Sequence, residues 1–294
     1  MVSSIVKRWQ DKNIKNKTDL INVLDKFQIM FACNSTRIEG NVVTYSNVKN
    51  IFKSGVVKNY TGPVTDLIEI INQKRAFDYL ADCFEKKEPL SVELLLKLHR
   101  LLLKDCLSQE LLDKGELPGS FKKNDYCVGT NEVGEEPEFV HESVIELFDE
   151  INSTETSDIL MVATYLHATF ESIHPFADGN GRVGRCITNY FLVLNNYPPI
   201  VLDVVDKETY YMAFEVYNRT EDLKGFKMFM EEQLVKTWSS LAEEAVTSNT
   251  LTRHGSDAVV WLREVVPDMF KDLPDKELLE MFGSMYTKYR QGCF

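Results

Sequence analysis

One short stretch near the middle of the chain combines glycines and charged side chains that suit phosphate chemistry. Gly179, Asn180 and Gly181 can form a tight turn that brings backbone N–H groups together, and Arg182 then begins an amphipathic helix. A helix N-terminus carries unpaired N–H groups and the positive end of the helix dipole, so this turn predicts an anion-binding nest. Arg185 adds a second cation on nearly the same helical face. The predicted ligand is a polyphosphate.

An acid and a histidine precede this nest. Asp178 would repel a phosphate unless a cation bridged the two charges, and Mg²⁺ bound through one carboxylate plus phosphate oxygens meets that need. His174 lies at the mouth of the turn, before Pro175, and a histidine has a pKa suited to accepting a proton near neutral pH. A general base beside an activated phosphate predicts group-transfer chemistry.

The elements that must position these residues are helices. Apolar residues recur at intervals of three and four through most of the chain, and strand-like alternation is almost absent, which predicts a mainly α protein. Leu20, Leu24, Phe27 and Phe31 predict one helix that ends near residues 33–37. The other helices are predicted near residues 63–80, 91–103, 141–151, 157–173, 181–195, 207–220, 223–245, 256–271 and 274–290.

One region departs from the helical pattern. Between Leu117 and Val140, glycines and prolines surround a short extended run at residues 126–128, which predicts a β-hairpin flap. The flap lies in the most acidic part of the chain, where residues 109–160 contain fourteen acids against three lysines. Such an acidic run is usually a solvated face. The sharper interpretation is that it binds a basic surface on a protein partner.

Composition excludes several classes of protein. The 294 residues carry a net charge of −12, which argues against general nucleic-acid binding, and no run of eighteen apolar residues predicts a membrane span. We find no secretion signal, and the six cysteines form no C-x-x-C pair, so reduced thiols and a cytoplasmic location are expected. His99, His141 and His254 have no companion polar constellation and are interpreted as structural or exposed.

The segment from His174 to Arg185 resembles the Fic motif, H-x-F-x-[D/E]-G-N-G-R-x-x-R, at every specified position. This resemblance covers about residues 63–234 and implies a mainly α, Fic-type helical bundle with a short β-hairpin flap. The implied organisation is an N-terminal helical region (1–62), a catalytic core (63–235) and a C-terminal helical extension (236–294).

Most Fic enzymes transfer AMP from ATP to a Ser, Thr or Tyr hydroxyl of another protein. By this resemblance His174 would deprotonate the target hydroxyl, Asp178 would hold Mg²⁺, and Phe176 would anchor the loop in the core. The implied nucleotide-binding residues are Gly179, Asn180, Gly181, Arg182, Arg185, Tyr211 and Asn218. The flap near residues 119–130 would dock the target protein.

A second, shorter match lies upstream of the predicted core. The segment Ser35-Thr-Arg-Ile-Glu39-Gly40 resembles the Fic inhibitory motif, [S/T]-x-x-x-E-[G/N], at the end of a predicted helix. Glu39 bound to Arg185 would place a carboxylate in the γ-phosphate site. The resemblance therefore implies an adenylyltransferase that is autoinhibited by Glu39.

Other functions stay open at this point. An inhibitory glutamate also fits a deAMPylase, which removes AMP from a modified protein, and the Fic fold also serves transfer of another nucleotide or phosphate-containing group. A catalytically silent ATP-binding regulatory module and a growth-arresting toxin are further alternatives. ATP and an unidentified target protein are the expected partners, without nucleic acid or membrane, and a homodimer stays open because no sequence feature identifies an interface.

Overall fold

The structure is a computed structural model. It describes residues 1–57, 59–128, 131–132 and 134–243. The chain divides into two compact units, Met1–Trp238 and Ser239–Phe294. The boundary predicted after residue 62 falls inside the first unit, and the helices predicted at 256–271 and 274–290 lie outside the described residues.

Helices form most of the described chain, and the predicted mainly α class is confirmed. The α-helices are α1 (Val2–Gln10), α2 (Lys17–Val23), α3 (Asp25–Ile38), α4 (Tyr45–Ser54), α5 (Val64–Lys86), α6 (Val92–Leu102), α7 (Gln109–Asp113), α8 (Val140–Ser153), α9 (Ile159–Ile173), α10 (Asn180–Leu194), α11 (Lys207–Thr220) and α12 (Lys224–Glu243). A 3₁₀ turn, Val204–Asp206, precedes α11. None of the helices in the described part of the chain is both long and apolar enough to cross a lipid bilayer.

Two very short strands occur in the region predicted to form a flap. Strand β1 (Cys127–Val128) pairs antiparallel with β2 (Asn131–Glu132), with Val128 opposite Asn131. Two residues on each side are too few to establish a flap that docks a protein. The hairpin flap therefore stays a prediction.

Helices α9 and α10 pack along each other and are joined by the loop that begins at His174. Helix α9 begins where Asp158 accepts a hydrogen bond from the N–H of Met161, and it ends at His174, which has a left-handed backbone (φ 50°, ψ 60°). Pro175 then disfavours any continuation of the helix. Helix α10 begins after Gly179 (φ 85°) and buries most of its residues against α3, α5, α6 and α9. The loop is thus held between two rigid, buried elements.

The predicted helix through Leu20 and Phe31 is interrupted. It consists of α2 and α3, which meet at Leu24, where the backbone leaves helical geometry (φ −94°, ψ 10°). Leu24 is buried at the junction, and both helices contact α5. Packing on α5 therefore overrides the local helical propensity of this stretch.

Sequence periodicity did not predict α1, α4 and α7. Helix α4 nevertheless has clear end signals, since the side chain of Thr44 accepts the N–H of Asn47 and Gly55 ends the helix in a left-handed conformation (φ 69°). Helix α1 buries Trp9, whose ring meets the ring of Trp238 edge to face at 5.4 Å. These short helices depend on tertiary contacts more than on a long periodic pattern.

Candidate active site

The loop between α9 and α10 is closed by Asn180. The N–H of Phe176 donates to Oδ1 of Asn180 at 2.9 Å, and Nδ2 of Asn180 donates to the carbonyl oxygen of Phe176 at 2.7 Å. The ring of Phe176 is fully buried, which fits the anchoring role that the resemblance implies. Because the side chain of Asn180 is used in the loop, a contact with phosphate would have to come from its backbone N–H.

His99 holds the same loop from α6, and this contact was not predicted. Its Nδ1 accepts the N–H of Gly119 at 2.8 Å, so the neutral ring carries its proton on Nε2, 3.1 Å from the carbonyl oxygen of Asp178. The ring also stacks on Phe176 at 3.7 Å between centroids. Burial lowers the pKa of His99 to about 4, so the ring stays neutral at pH 7. The sequence left His99 as structural or exposed; in the structure it is buried and positions the loop of the candidate site.

The first turn of α10 lies where the sequence predicts an anion nest. The N–H groups at the start of a helix have no carbonyl four residues earlier to bind, and here they follow the left-handed Gly179. The absence of a side chain at Gly181 lets the carboxylate of Glu39 approach this backbone, since a Cβ at this position would lie 2.6 Å from Oε1 of Glu39. The space directly against the nest is thus taken by the carboxylate of Glu39.

Arg185 binds two residues, Ser35 of α3 and Glu39 at the C-cap of that helix. Its Nη2 donates to Oε1 of Glu39 at 2.6 Å and to the carbonyl oxygen of Ser35 at 2.9 Å, and its Nε donates to Oγ of Ser35 at 3.0 Å. The Arg185 side chain is 2% exposed and that of Glu39 is 33% exposed. Burial acts to raise the pKa of Glu39. However, the charge and hydrogen bond of Arg185, with the charges of Arg182 and Lys207, together hold this pKa below its usual range. Glu39 is therefore ionised at neutral pH.

Arg182, three residues earlier, has different partners. Its Nη1 donates to Oε1 of Glu69 on α5 at 2.6 Å, and its Nη2 donates to Oδ1 of Asp178 at 3.1 Å. The sequence analysis did not identify Glu69. No local pattern marks this residue, because its partner lies 113 positions further along the chain.

Asp178 is the residue that the resemblance assigns to Mg²⁺. Its side chain is 41% exposed, and the bond to Arg182 uses its Oδ1. Among the described residues, no three histidine, cysteine or acidic side chains converge as a metal-binding group. Such a donor set fits Mg²⁺ held through one carboxylate and substrate phosphates better than a metal held in an all-protein cage.

His174 is in the protonation state that a general base requires. Burial lowers its pKa to about 4, and the nearby charge of Lys122 acts in the same direction. The imidazole is therefore neutral at pH 7 and can accept a proton.

Backbone contacts join the region of the predicted flap to the loop at His174. The N–H of Lys122 donates to the carbonyl oxygen of Pro175 at 2.9 Å, and the N–H of Glu135 donates to that of Ile173 at 3.0 Å. Gly134 lies so close to His174 that a Cβ there would be 2.4 Å from the Cβ of the histidine. A protein segment docked on this region would therefore lie near the candidate base.

The two downstream positions that the resemblance assigns to the nucleotide lie on α11. Tyr211 presents a partly exposed ring, and Asn218 accepts a hydrogen bond on Oδ1 from the hydroxyl of Ser172 at 2.7 Å. Tyr210 is buried, and its hydroxyl lies 2.9 Å from Nε2 of the buried His167. Tyr210 thus packs α11 on α9, and the nucleotide contacts of Tyr211 and Asn218 stay predictions.

The central part of the candidate site lies in a known domain. Residues 89–192 match the Fic/DOC family. The chain contains a Fic/DOC family domain. The domain includes α9, the loop and most of α10, whereas Glu39 and Glu69 come from helices that precede it.

The similarity to curated relatives covers more of the chain than the Fic/DOC domain alone. The chain is 26% identical over 227 residues to "Protein adenylyltransferase fic-1" of Caenorhabditis elegans, covering 76% of this chain and 43% of the relative. It is 27% identical over 208 residues to "Protein adenylyltransferase Fic" of Drosophila persimilis, covering 69% of this chain and 38% of the relative. The chain thus spans about two fifths of the length of these relatives.

Solved structures share the fold. A Fic domain-containing signaling protein from Bacteroides thetaiotaomicron is 23% identical, with a TM-score of 0.68 over 81% of this chain and 94% of the other. Fic-1 from Caenorhabditis elegans is 22% identical, with a TM-score of 0.66 over 84% of this chain and 73% of the other. At this level of identity, the similarity establishes the fold.

Proposed function

We propose that this chain is an autoinhibited protein adenylyltransferase, which transfers AMP from ATP to a Ser, Thr or Tyr hydroxyl of a target protein. The observation that carries the proposal is the position of the Glu39 carboxylate. It binds Arg185 at 2.6 Å and lies against Gly181 in the first turn of α10. An anion site built from N–H groups and a buried arginine is suited to phosphate, and a carboxylate already occupies it.

The residues around this site supply the parts of the proposed reaction. The target hydroxyl oxygen would bond to the α-phosphorus as the bond to the β-phosphate oxygen breaks and pyrophosphate leaves. His174, which is neutral, would accept the hydroxyl proton. Asp178 would hold Mg²⁺, which supplies charge neutralisation to the phosphates when bound. The nest and Arg182 would hold the phosphates in line for attack.

Autoinhibition would follow from competition for one cation. Arg185 is almost fully buried, so it binds either the carboxylate of Glu39 or the γ-phosphate of ATP. With Glu39 in place, ATP would bind weakly or in a pose that does not react. A partly exposed Glu39 side chain is accessible enough to be displaced or removed without unfolding the core.

Removal of AMP is a second candidate for the same site. Oε1 of Glu39 binds Arg185, and the side chain is one-third exposed, so the carboxylate can also orient a water molecule. In that case Glu39 would be required for activity, and its loss would abolish the reaction. The two functions therefore predict opposite effects of one substitution.

Intact mass measured after incubation with Mg-ATP tests the proposal. We expect an AMP adduct in Glu39→Gly, little or none in the wild type, and none in Glu39→Gly/His174→Ala. Glu39→Gln is the matched control, because it keeps the size of the side chain but loses its charge, and it should give an intermediate adduct. GTP, UTP and CTP in place of ATP test the other nucleotide donors.

The pattern of adducts separates the alternatives. A phosphate-sized adduct would assign phosphate transfer, and a nucleotide adduct from UTP or GTP alone would change the donor. DeAMPylation would replace the proposal if two results were obtained together. No variant would gain an adduct, and AMP would be released from a modified protein only by variants that keep Glu39. ATP binding without any transfer or release would leave a regulatory module.

A further inference from the structure

The buried charge of Arg182 depends on a carboxylate outside the Fic motif. The Arg182 side chain is 5% exposed, and its two carboxylate partners are Glu69 at 2.6 Å and Asp178 at 3.1 Å. Loss of the negative partner of a buried guanidinium is destabilising unless another anion or water takes its place. Since Asp178 is the residue that would hold Mg²⁺, Glu69 is the partner that remains for Arg182 during the reaction.

The second oxygen of Glu69 binds the segment that follows the inhibitory glutamate. Nδ2 of Asn41 donates to Oε2 of Glu69 at 2.9 Å and to the carbonyl oxygen of Asp66 at 2.9 Å. Oδ1 of Asn41 accepts the N–H of Val43 at 2.8 Å. Asn41 is buried, and it lies two residues after Glu39. The amide side chain thus fixes the chain where it leaves the inhibitory motif.

We propose that Glu69 is a positioning residue that orients Arg182 towards phosphate and, through Asn41, keeps the inhibitory segment docked beside the motif. The two oxygens of one carboxylate serve the two tasks separately. The inference rests on the proposed function, since it assigns Arg182 to the phosphates and Glu39 to inhibition.

Glu69→Gln tests both contacts with little change in volume. Arg182 and Asn41 both present donors to Glu69, and a glutamine has one acceptor oxygen, so it presents an N–H group to one of them. Asn41→Ala removes the contact with the inhibitory segment and leaves the contact with Arg182. Asp82→Asn is the matched control, because it removes an exposed carboxylate of α5 that binds Lys17, away from the candidate site.

Amide hydrogen exchange of residues 39–43 measures the tether without any nucleotide. We expect exchange to be about tenfold faster in Asn41→Ala and in Glu69→Gln than in the wild type, because a local hydrogen-bonded unit is opened. Asp82→Asn should leave this exchange unchanged. Unchanged exchange in both Asn41→Ala and Glu69→Gln would overturn the tethering role.

Kinetics with Mg-ATP in the Glu39→Gly background measure the role at Arg182. Glu69→Gln should raise KM for ATP about tenfold with a smaller change in kcat. The reason is that the contact between Arg182 and phosphate would weaken equally in the substrate complex and in the transition state. Asn41→Ala should have no further effect in this background, since inhibition is already absent. A residue that only supports folding would lower the active fraction and kcat but would leave KM unchanged, and that result would overturn the inference.

The measurements separate failure of this inference from failure of the proposed function. If Glu39→Gly modifies itself but Glu69→Gln changes neither KM nor exchange, the inference alone is wrong. If Glu39→Gly transfers nothing, the proposed function is wrong, and calorimetric affinity for Mg-ATP then replaces KM. A tenfold loss of that affinity in Glu69→Gln would still support the role at Arg182, and equal affinity would overturn it.

Discussion

Arg182 and Arg185 lie three residues apart on α10, but they are held in different ways. Arg182 binds Glu69 of α5 and Asp178 of the loop before α10. Arg185 binds Glu39, at the end of α3. Both guanidinium groups are almost fully buried, whereas the Glu39 side chain is more exposed than that of Glu69, at 33% against 19%.

The difference separates a permanent contact from an exchangeable one. Glu69 lies in the second turn of the 23-residue helix α5, so Arg182 keeps this partner as long as α5 is folded. Glu39 follows the last turn of α3, and in our proposal its carboxylate leaves while the helices stay packed. A buried arginine whose partner can leave is available to a second anion, which in our account is a phosphate of ATP.

The largest expected effect is on folding stability. Glu69→Ala should lower the free energy of unfolding by about 2–3 kcal/mol, because it leaves Arg182 buried with one acid. Glu39→Ala should cost about 1 kcal/mol or less, since water can reach the vacated position and Ser35 still accepts from Arg185. Urea denaturation measures both, and equal losses would contradict the distinction between the two arginines.

His99 should also make permanent contacts that support the site, as Glu69 does. His99→Asn should destabilise the protein by about 2 kcal/mol, because it disrupts the bonds of a buried ring to Gly119 and to the loop at Asp178. His141→Asn is the matched control on an exposed histidine and should change stability by less than about 0.5 kcal/mol. Thermal unfolding of the two variants compares them, and a neutral His99→Asn would remove His99 from the permanent set.

The pH dependence of activity tests two groups separately, the candidate base His174 and the contact between Glu39 and Arg185. Burial and Lys122 lower the pKa of His174 to about 4, so kcat/KM of Glu39→Gly should be flat between about pH 6 and 8. The pKa of Glu39 is lowered in the folded state, so its contact with Arg185 contributes stability above the ordinary pKa of 4.5 and loses it as pH falls through the lowered value. The wild type should therefore stay inhibited over the same range. A fall in the rate of Glu39→Gly centred near pH 6.5 would contradict the assignment of His174.

The smallest expected effect is at Ser35. Ser35→Ala removes the bond from Oγ to Nε of Arg185 and leaves the bond from Arg185 to the backbone oxygen of residue 35. Automodification by Mg-ATP should rise about threefold over the wild type, far less than in Glu39→Gly. A rise as large as that of Glu39→Gly would mean that the exchangeable contact depends on the hydroxyl as much as on the charge.

Local patterns were enough to predict the centre of the site. Pro175 and Gly179 indicated a turn between two helices, and the structure has a loop there between α9 and α10. The resemblance to the Fic motifs also paired Glu39 with Arg185, and the structure places these two side chains in contact. Both inferences depend on short sequence motifs, one at residues 174–185 and one at residues 35–40.

The supports of the site could not be predicted in this way. His99 contacts a loop residue 79 positions away, and Glu69 contacts Arg182 over 113 positions. Neither residue belongs to a motif, and only the packing of α5 and α6 on α10 brings them to the site. The break at Leu24 has the same origin, because packing on α5 rather than local sequence ends α2 there.

The central claim is that Glu39 occupies the site of the γ-phosphate. Calorimetric titration of the wild type and Glu39→Gly with Mg-ATP and with AMP tests it directly, because AMP lacks the phosphate that would displace the carboxylate. We predict that Glu39→Gly binds ATP at least about tenfold more tightly than the wild type and binds AMP with unchanged affinity. Equal affinity for ATP in the two proteins, or the same gain for AMP as for ATP, would contradict the account.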